Sequence, residues 1–396
     1  MISRKSVVSL LLLASLFCIR PGACETGVTD KEILLGVSNV QSGSNEFYGK
    51  QTTIGFKALM DAVNEKGGIN GRKIRVITED DRYEPDGAIS CFQKLVSQGV
   101  FGIGGIVGST CLARYLPMAM NFKVPVAGYY AGPIFAGEPV KRYCFTARAS
   151  YRDEVKAQVD HLWNDLHIRR IAVIYQNDPF GADLLEGVKQ ELQKYGSEVV
   201  AAGSYTRNQN NIAEAVEAVK KADPEAVILA AVYNPCAQVV KLAKETKWNP
   251  IFVINSGSGV DVFITEAGAN AEGIILSEVA PPPSRIDLPL IKAYLSALKQ
   301  YYPKEKPNFV SLRGYIDGLI FIEGLKHTGK DLTRDKFVDA LEKIHHEDVG
   351  LGKGMALNYS PTDHLGFHNV FWGVIRNGEV VSFSDWKKLG LKKKEI

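Results

Sequence analysis

The side chains best equipped for chemistry fall in short turns that follow β-branched runs. Ser42-Gly43 follows the first run, Gly108-Ser109-Thr110 opens a helical stretch after the third, and Tyr129-Tyr130-Ala131-Gly132-Pro133 follows the fourth. Ser109 and Thr110 set two hydroxyls beside the unpaired N–H groups of a helix N-terminus, a combination that suits a bound carboxylate and equally suits an N-cap. The tyrosines offer flat apolar walls for stacking, with Tyr129 and Tyr130 facing opposite ways if they share a strand. These groups recognise a ligand; none of them is a nucleophile paired with a base.

Motifs that break or make bonds are missing from the sequence. Gly102, Gly104, Gly105 and Gly108 follow a strand-like run, but Val107 stands where a dinucleotide fingerprint needs its last glycine. There is no GxxxxGK[ST] phosphate loop and no GxSxG nucleophile elbow. Asp80-Asp81 has no partner motif for acid/base work and reads as a strand-end pair capping the next helix. His345-His346 before Glu347-Asp348 has metal-ligand residue types, yet adjacent histidines diverge on a helix, so the segment reads as a solvated helix end. His364 and His368 straddle Gly366 in a turn and read as surface residues. Neither enzyme activity, nor a cofactor, nor a metal site is expected.

The elements that must position these turns alternate strand and helix. Strand-like runs at 33–40, 73–80, 100–106 and 125–128 are interleaved with helical stretches at 49–65, 86–97 and 110–122, the pattern of βα units around a parallel sheet. The series repeats from residue 143: strands at 171–175, 199–205, 226–231, 251–254 and 273–277, helices at 153–166, 180–195, 212–221 and 236–246. Pro281-Pro282-Pro283 cannot donate backbone hydrogen bonds and reads as a connection. Helices follow at 288–301, 309–327 and 333–344, then a hairpin around Asn377-Gly378 and a basic tail. The expected fold class is α/β, two Rossmann-like lobes with parallel sheets.

Composition sets the outer limits. The 396 residues are 45% hydrophobic and 23% charged, an ordinary globular balance with room for two or three domains. Lys and Arg total 47 against 44 Asp and Glu, and a formal charge of +3 gives no broad field for nucleic acid. Arg4 and Lys5 precede an apolar run of ~13 residues at 7–19, the core of a signal peptide spanning 1–24 rather than a membrane span. Export to the periplasm follows, with Cys24 available as a lipoprotein cysteine. Among Cys91, Cys111 and Cys144 one bridge, 91 to 111 or 111 to 144, and a bridge-free set remain open; Cys236 reads as a buried thiol.

With these residues in place, the chain beyond about residue 28 resembles a known family. Asn64-Glu65-Lys66-Gly67-Gly68-Ile69-Asn70-Gly71-Arg72, Glu79-Asp80-Asp81, the run from Tyr175 to Gly181 and Ser360-Pro361-Thr362-Asp363 are similar to the periplasmic branched-chain amino-acid-binding proteins of ABC importers. The resemblance implies two lobes joined by three crossings, 29–148 plus 281–355 and 149–280 plus 356–396, closing on a small solute. It implies a carboxylate held at Ser109 with Thr110 beside it, and aromatic lid residues at Tyr48, Phe180 and Tyr233. Ala131 stands where amino-acid binders place a threonine, and Ser258 where they place the acid that holds the ammonium group. A desolvated ammonium without a carboxylate is costly, so the missing acid selects against zwitterions unless Asp261 or Glu278 reaches in. With Tyr129 and Tyr130 added to the cleft, the expected ligand is an aromatic or apolar monocarboxylate. The alternatives are a branched-chain amino acid, or a sensing module for a receptor. Expected partners are the small-molecule ligand and membrane permease subunits, with the protein itself a monomer.

Overall fold

The computed structural model describes residues 25–209 and 211–390; the leader expected at 1–24, with Cys24, lies outside the described residues. Two sheets organise the chain. The first runs in the order Lys73–Asp80, Glu32–Asn39, Gly102–Gly104, Val126–Ala127, Cys144–Phe145, parallel throughout. Its strand Glu32–Asn39, flanked on both sides, is buried almost end to end, as expected when helices cover both faces. The second sheet has five parallel strands, Ala202–Tyr205, Ile171–Gln176, Ala226–Ala230, Ile251–Ile254 and Ile275–Glu278. An antiparallel hairpin, Phe371–Arg376 with Glu379–Phe383, completes that edge. Asn377 and Gly378 both have positive φ at its turn, the backbone a two-residue hairpin needs. Among the described residues no helix is long and apolar enough to cross a membrane.

The helix Phe309–Thr328 is buried on every side from Phe309 to Leu325 and packs along Glu46–Glu65 beside the first sheet. Glycine sets that closeness. A Cβ on Gly55 would lie 1.8 Å from the Ser311 carbonyl oxygen, and one on Gly314 2.1 Å from that of Thr52. Any larger residue at either position separates the helices.

The chain passes between the sheets three times: after Phe145 into helix Tyr151–Asn164, after Glu278 toward helix Pro289–Tyr301, and through 358–370 into strand Phe371–Arg376. The first and third passages are hydrogen-bonded together. Thr146 N–H donates to His364 O at 3.0 Å, and Gly366 N–H donates to Thr146 O at 2.7 Å. His364 is therefore buried, 1% exposed, with its ring stacked on Phe145 at 3.8 Å. This corrects its reading as a surface residue: the turn around Gly366 belongs to a crossing strand, a long-range pairing with no local signature.

Three further expectations change. Cys91, Cys111, Cys144 and Cys236 are all free and buried, so the bridge-free alternative holds; Cys111 and Cys144 pack as small apolar side chains in the first lobe's core. Asp80 and Asp81 do not cap the helix Pro85–Ser97. Asp80 accepts from Gln41 N, Arg82 N and the Ser42 hydroxyl, and Asp81 accepts from Tyr83 N at 2.8 Å, so the pair braces its own turn. The expected strands 100–106 and 125–128 are each broken by a glycine. Gly105 (φ 63°) and Gly128 (φ 77°) kink side by side, joined by Gly105 N–H to Gly128 O at 2.8 Å. Beyond the kinks, Ile106–Val107 pairs separately with Tyr129–Tyr130.

Candidate functional site

That paired kink aims Val107, Gly108 and Tyr130 into a cleft between the carboxyl ends of the two sheets, the place where open α/β folds bind ligands. From the first lobe come Tyr48, Tyr83, Val107, Gly108 and Tyr130; from across the cleft Tyr151, Phe180, Val232 and Gly257. They enclose only about 10 Å³, far below the ~300–1,000 Å³ of small-molecule sites, so a solute enters only when the two walls part. The walls are aromatic. Ring centroids lie 5.5 Å apart for Tyr48 and Tyr130, 5.0 Å for Tyr48 and Tyr233, and 5.2 Å for Tyr151 and Phe180.

Tyrosine hydroxyls tie the lobes together. Tyr48 donates to Gly257 O at 2.8 Å, Tyr130 to Ser256 O at 2.8 Å, and Tyr233 to Ser44 O. Burial pushes the Tyr48 phenol well above its ordinary value, so it stays a donor across physiological pH. Gly108 is required where it stands. Its φ is 89°, and a Cβ there would lie 2.2 Å from Tyr83 Cε2.

The helix Ser109–Phe122 starts at this wall. Ser109 Oγ is buried without a hydrogen-bond partner among the described residues. Thr110 Oγ1 donates to Asp178 Oδ2 at 2.7 Å, across the cleft. Asp178 also accepts from Gln176 Nε2 at 2.7 Å and caps helix Pro179–Lys194 through Phe180 N at 3.0 Å. The protein's own carboxylate thus meets the helix N-terminus at which a ligand carboxylate was expected.

Of the residues singled out in the sequence, Tyr48, Tyr130 and Phe180 line the cavity and Tyr233 packs against Tyr48 at a tilt, while Ser109 and Thr110 follow the lining Gly108 without lining it themselves. Three face elsewhere. Tyr129 and Ala131 pack into the first lobe's core, because alternate residues of a strand point to opposite faces. Ser258 closes the capping turn Ser256–Ser258, its Oγ accepting from Asn255 N at 3.4 Å and lying 3.8 Å from Cys236 Sγ. Two aromatic wall residues escaped sequence reasoning. Tyr83 itself stands at positive φ (61°) in a turn braced by Asp81, and Tyr151 opens the helix after the first crossing; neither position has a periodic signal, although the Asp-Asp pair marks the turn.

Behind the tyrosines lies a charged layer. Arg148, fully buried, donates from Nη2 to Glu154 Oε1 at 2.7 Å and to Ser256 Oγ at 3.0 Å, and its Cζ stands 4.7 Å from the Tyr151 ring centroid. Arg313 stands 4.7 Å from the Tyr130 ring centroid. Glu278 and Asp317 are buried nearby; burial raises the Glu278 carboxyl and pushes Asp317 up to about 7.

Residues 32–379 match the family model of periplasmic binding proteins. The chain belongs to the periplasmic binding protein family. Among its relatives, the amino acid binding protein of Pseudomonas aeruginosa is 24% identical over 256 residues, 63% of this chain and 68% of the relative. A solved structure from Rhodopirellula baltica SH 1, described as a possible leucine/isoleucine/valine-binding protein, is 28% identical with a TM-score of 0.86, covering 91% of this chain and 98% of that one. A fatty acid ABC transporter substrate-binding protein from Thermomonospora curvata shares the fold at 22% identity and a TM-score of 0.83, covering 92% and 95% of the two chains. For a periplasmic binding protein, the sequence motifs at 64–72 and 175–181 therefore pointed to the right family, and the parallel-sheet lobes are those of its type I members.

A second cluster lies away from the cleft. Glu323, His327 and Glu347 each bring a ligand-type atom within 4.8 Å of the others, and Glu323 is already paired with Lys326 Nζ at 2.8 Å. His345 and His346, with metal-like neighbours in the sequence, are exposed beyond the end of helix Arg334–Leu341.

Proposed function

We propose that this protein is the solute-binding component of an ABC importer and that its cleft captures a small aromatic or apolar monocarboxylate, delivering it to membrane permease subunits. The observation that carries this reading is the cleft wall: five aromatic rings, Tyr48, Tyr83, Tyr130, Tyr151 and Phe180, and not one acid among the lining residues. Stacked and edge-on ring contacts favour a flat apolar body. The turn that carries Ser258, where the resemblance puts the acid of amino-acid binders, presents only the uncharged Gly257 to the cleft. Lobe closure through the tyrosine hydroxyls supplies the trap, and the protein performs no catalysis. The Thermomonospora curvata neighbour is a fatty acid ABC transporter substrate-binding protein, and a fatty acid is an apolar monocarboxylate.

The second reading is a branched-chain amino acid. Two observations favour it: the description of the Rhodopirellula baltica structure as a possible leucine/isoleucine/valine-binding protein, and Glu278, 3% exposed, an acid close behind Tyr130. A thermal-shift panel separates the two, because a ligand at ~100 Kd adds about 2.7 kcal/mol to the native state. Benzoate-type acids are expected to raise Tm by several degrees and leucine, isoleucine and valine by less. The reverse order overturns the monocarboxylate reading.

A further inference from the structure

The cleft reading leaves one buried cation without a role. Arg313 is 1% exposed, yet Nε, Nη1 and Nη2 all lack hydrogen-bond partners among the described residues. Arg148 Nη1 is in the same condition. Desolvating a guanidinium with none of its donors satisfied is among the costliest arrangements a fold can hold, so an acceptor must meet it in the working state.

We propose that Arg313, together with Nη1 of Arg148, is the subsite that holds the ligand's carboxylate. This deepens the monocarboxylate reading and rests on it.

The geometry narrows the choice of acceptor. Both guanidinium groups stand 4.7 Å from tyrosine rings that line the cavity, Arg148 on Tyr151 and Arg313 on Tyr130. The Tyr130 hydroxyl reaches Ser256 O on the opposite lobe. Opening the lobes breaks that bond and frees the Tyr130 ring against which Arg313 stands. At the Ser109 turn, by contrast, the Thr110 hydroxyl is taken by Asp178.

The charges nearby also leave room for one anion. Arg148 is paired with Glu154, whose other oxygen accepts from Ser256 N at 2.9 Å and Ser277 Oγ at 2.7 Å. Asp317, one helical turn beyond Arg313, has neither carboxyl oxygen bonded, and Glu278 Oε2 is likewise unpartnered. Burial raises the pKa of both against the pull of Arg313, so Glu278 resists ionising and Asp317, at about 7, neutralises Arg313 only in part at neutral pH. One monocarboxylate balances the remaining charge, with planar fork geometry suited to a guanidinium.

The test is calorimetric and uses the full mature protein. Benzoate and leucine are titrated first, and whichever binds is compared with its carboxamide, benzamide or leucinamide. An Arg313 anion subsite predicts at least a tenfold preference for the carboxylate in the wild type. Arg313→Met is expected to weaken the carboxylate at least thirtyfold, to abolish that preference, and to weaken it more than the Ser109→Ala/Thr110→Ala double variant does; Arg313→Lys recovers part of the preference. Equal wild-type affinity for acid and amide overturns the proposal without recourse to any variant. So does a folded Arg313→Met that binds the acid as tightly as wild type, which makes Arg313 the internal partner of Asp317 or Glu278. A larger loss in the double variant than in Arg313→Met moves the carboxylate to the helix N-terminus and equally overturns it. If neither benzoate nor leucine binds the wild type, the failure lies in the choice of ligand class, and the subsite falls with it.

Discussion

Gly108 shows how tightly single residues constrain the cleft. Its backbone is left-handed and the Tyr83 ring lies against it, so a methyl group meets both strain and a clash at 2.2 Å. Gly108→Ala is expected to cost about 1–3 kcal/mol in urea unfolding and to weaken ligand binding by displacing Tyr83; a variant with wild-type midpoint and affinity contradicts that placement of the ring. Site residues differed in how legible they were. Tyr48, Phe180 and Tyr233 could be placed through the family resemblance, which fixes positions independently of local pattern. Tyr83 and Tyr151 could not, since each depends on what the backbone does just before it, a positive-φ turn in one case and a crossing in the other. Arg313 was hidden for a different reason: a single Arg on a helix gives no hint that folding sets it against a tyrosine ring.

At the scale of elements, the crossings carry the mechanical load. Ser150 opens helix Tyr151–Asn164 with a reciprocal capping box: its Oγ accepts from Asp153 N at 3.1 Å, and Asp153 Oδ2 accepts from Ser150 N at 2.9 Å. Ser150→Ala is expected to lower stability by about 1 kcal/mol in denaturant melts, and no change would show that the cap is dispensable. His368 ties the third crossing to the same helix, 3.5 Å from Asp153 and 3.1 Å from Asp363. The Asp153 carboxylate above all, opposed by partial burial and helped by Asp363, raises its pKa to about 9. A folded pKa above the unfolded value near ~6.5 means that the stabilisation is complete below that value and fades as pH rises through about 9. The ring is half exposed, so solvent screening keeps the effect under ~1 kcal/mol. The stability gap between wild type and His368→Gln should therefore be larger at pH 6 than at pH 9.5; a gap that stays constant excludes the ion pair as its source. The repeating βα units were legible because their periodicity is strong and their strands are buried on both faces. The twin kinks at Gly105 and Gly128, and the pairing of Thr146 with Leu365, were not, because both join segments distant in sequence.

Across the whole molecule, three tyrosine hydroxyls and the Thr110–Asp178 bond hold the two sheets' carboxyl ends together. These bonds and the aromatic rings packed between the lobes must separate for the cleft to open, so ligand binding is expected to shift a population from open to closed. Small-angle scattering should show a smaller radius of gyration at saturating ligand, and an unchanged radius with binding shown independently contradicts capture by closure. The direct test of what the cleft is for is a calorimetric titration of the wild-type protein with benzoate and, separately, with leucine, isoleucine and valine. An aromatic cleft without a lining acid predicts a saturable heat from benzoate and tighter binding than for any of the three amino acids. Tight binding of the aliphatic amino acids, with no heat from benzoate, would contradict it.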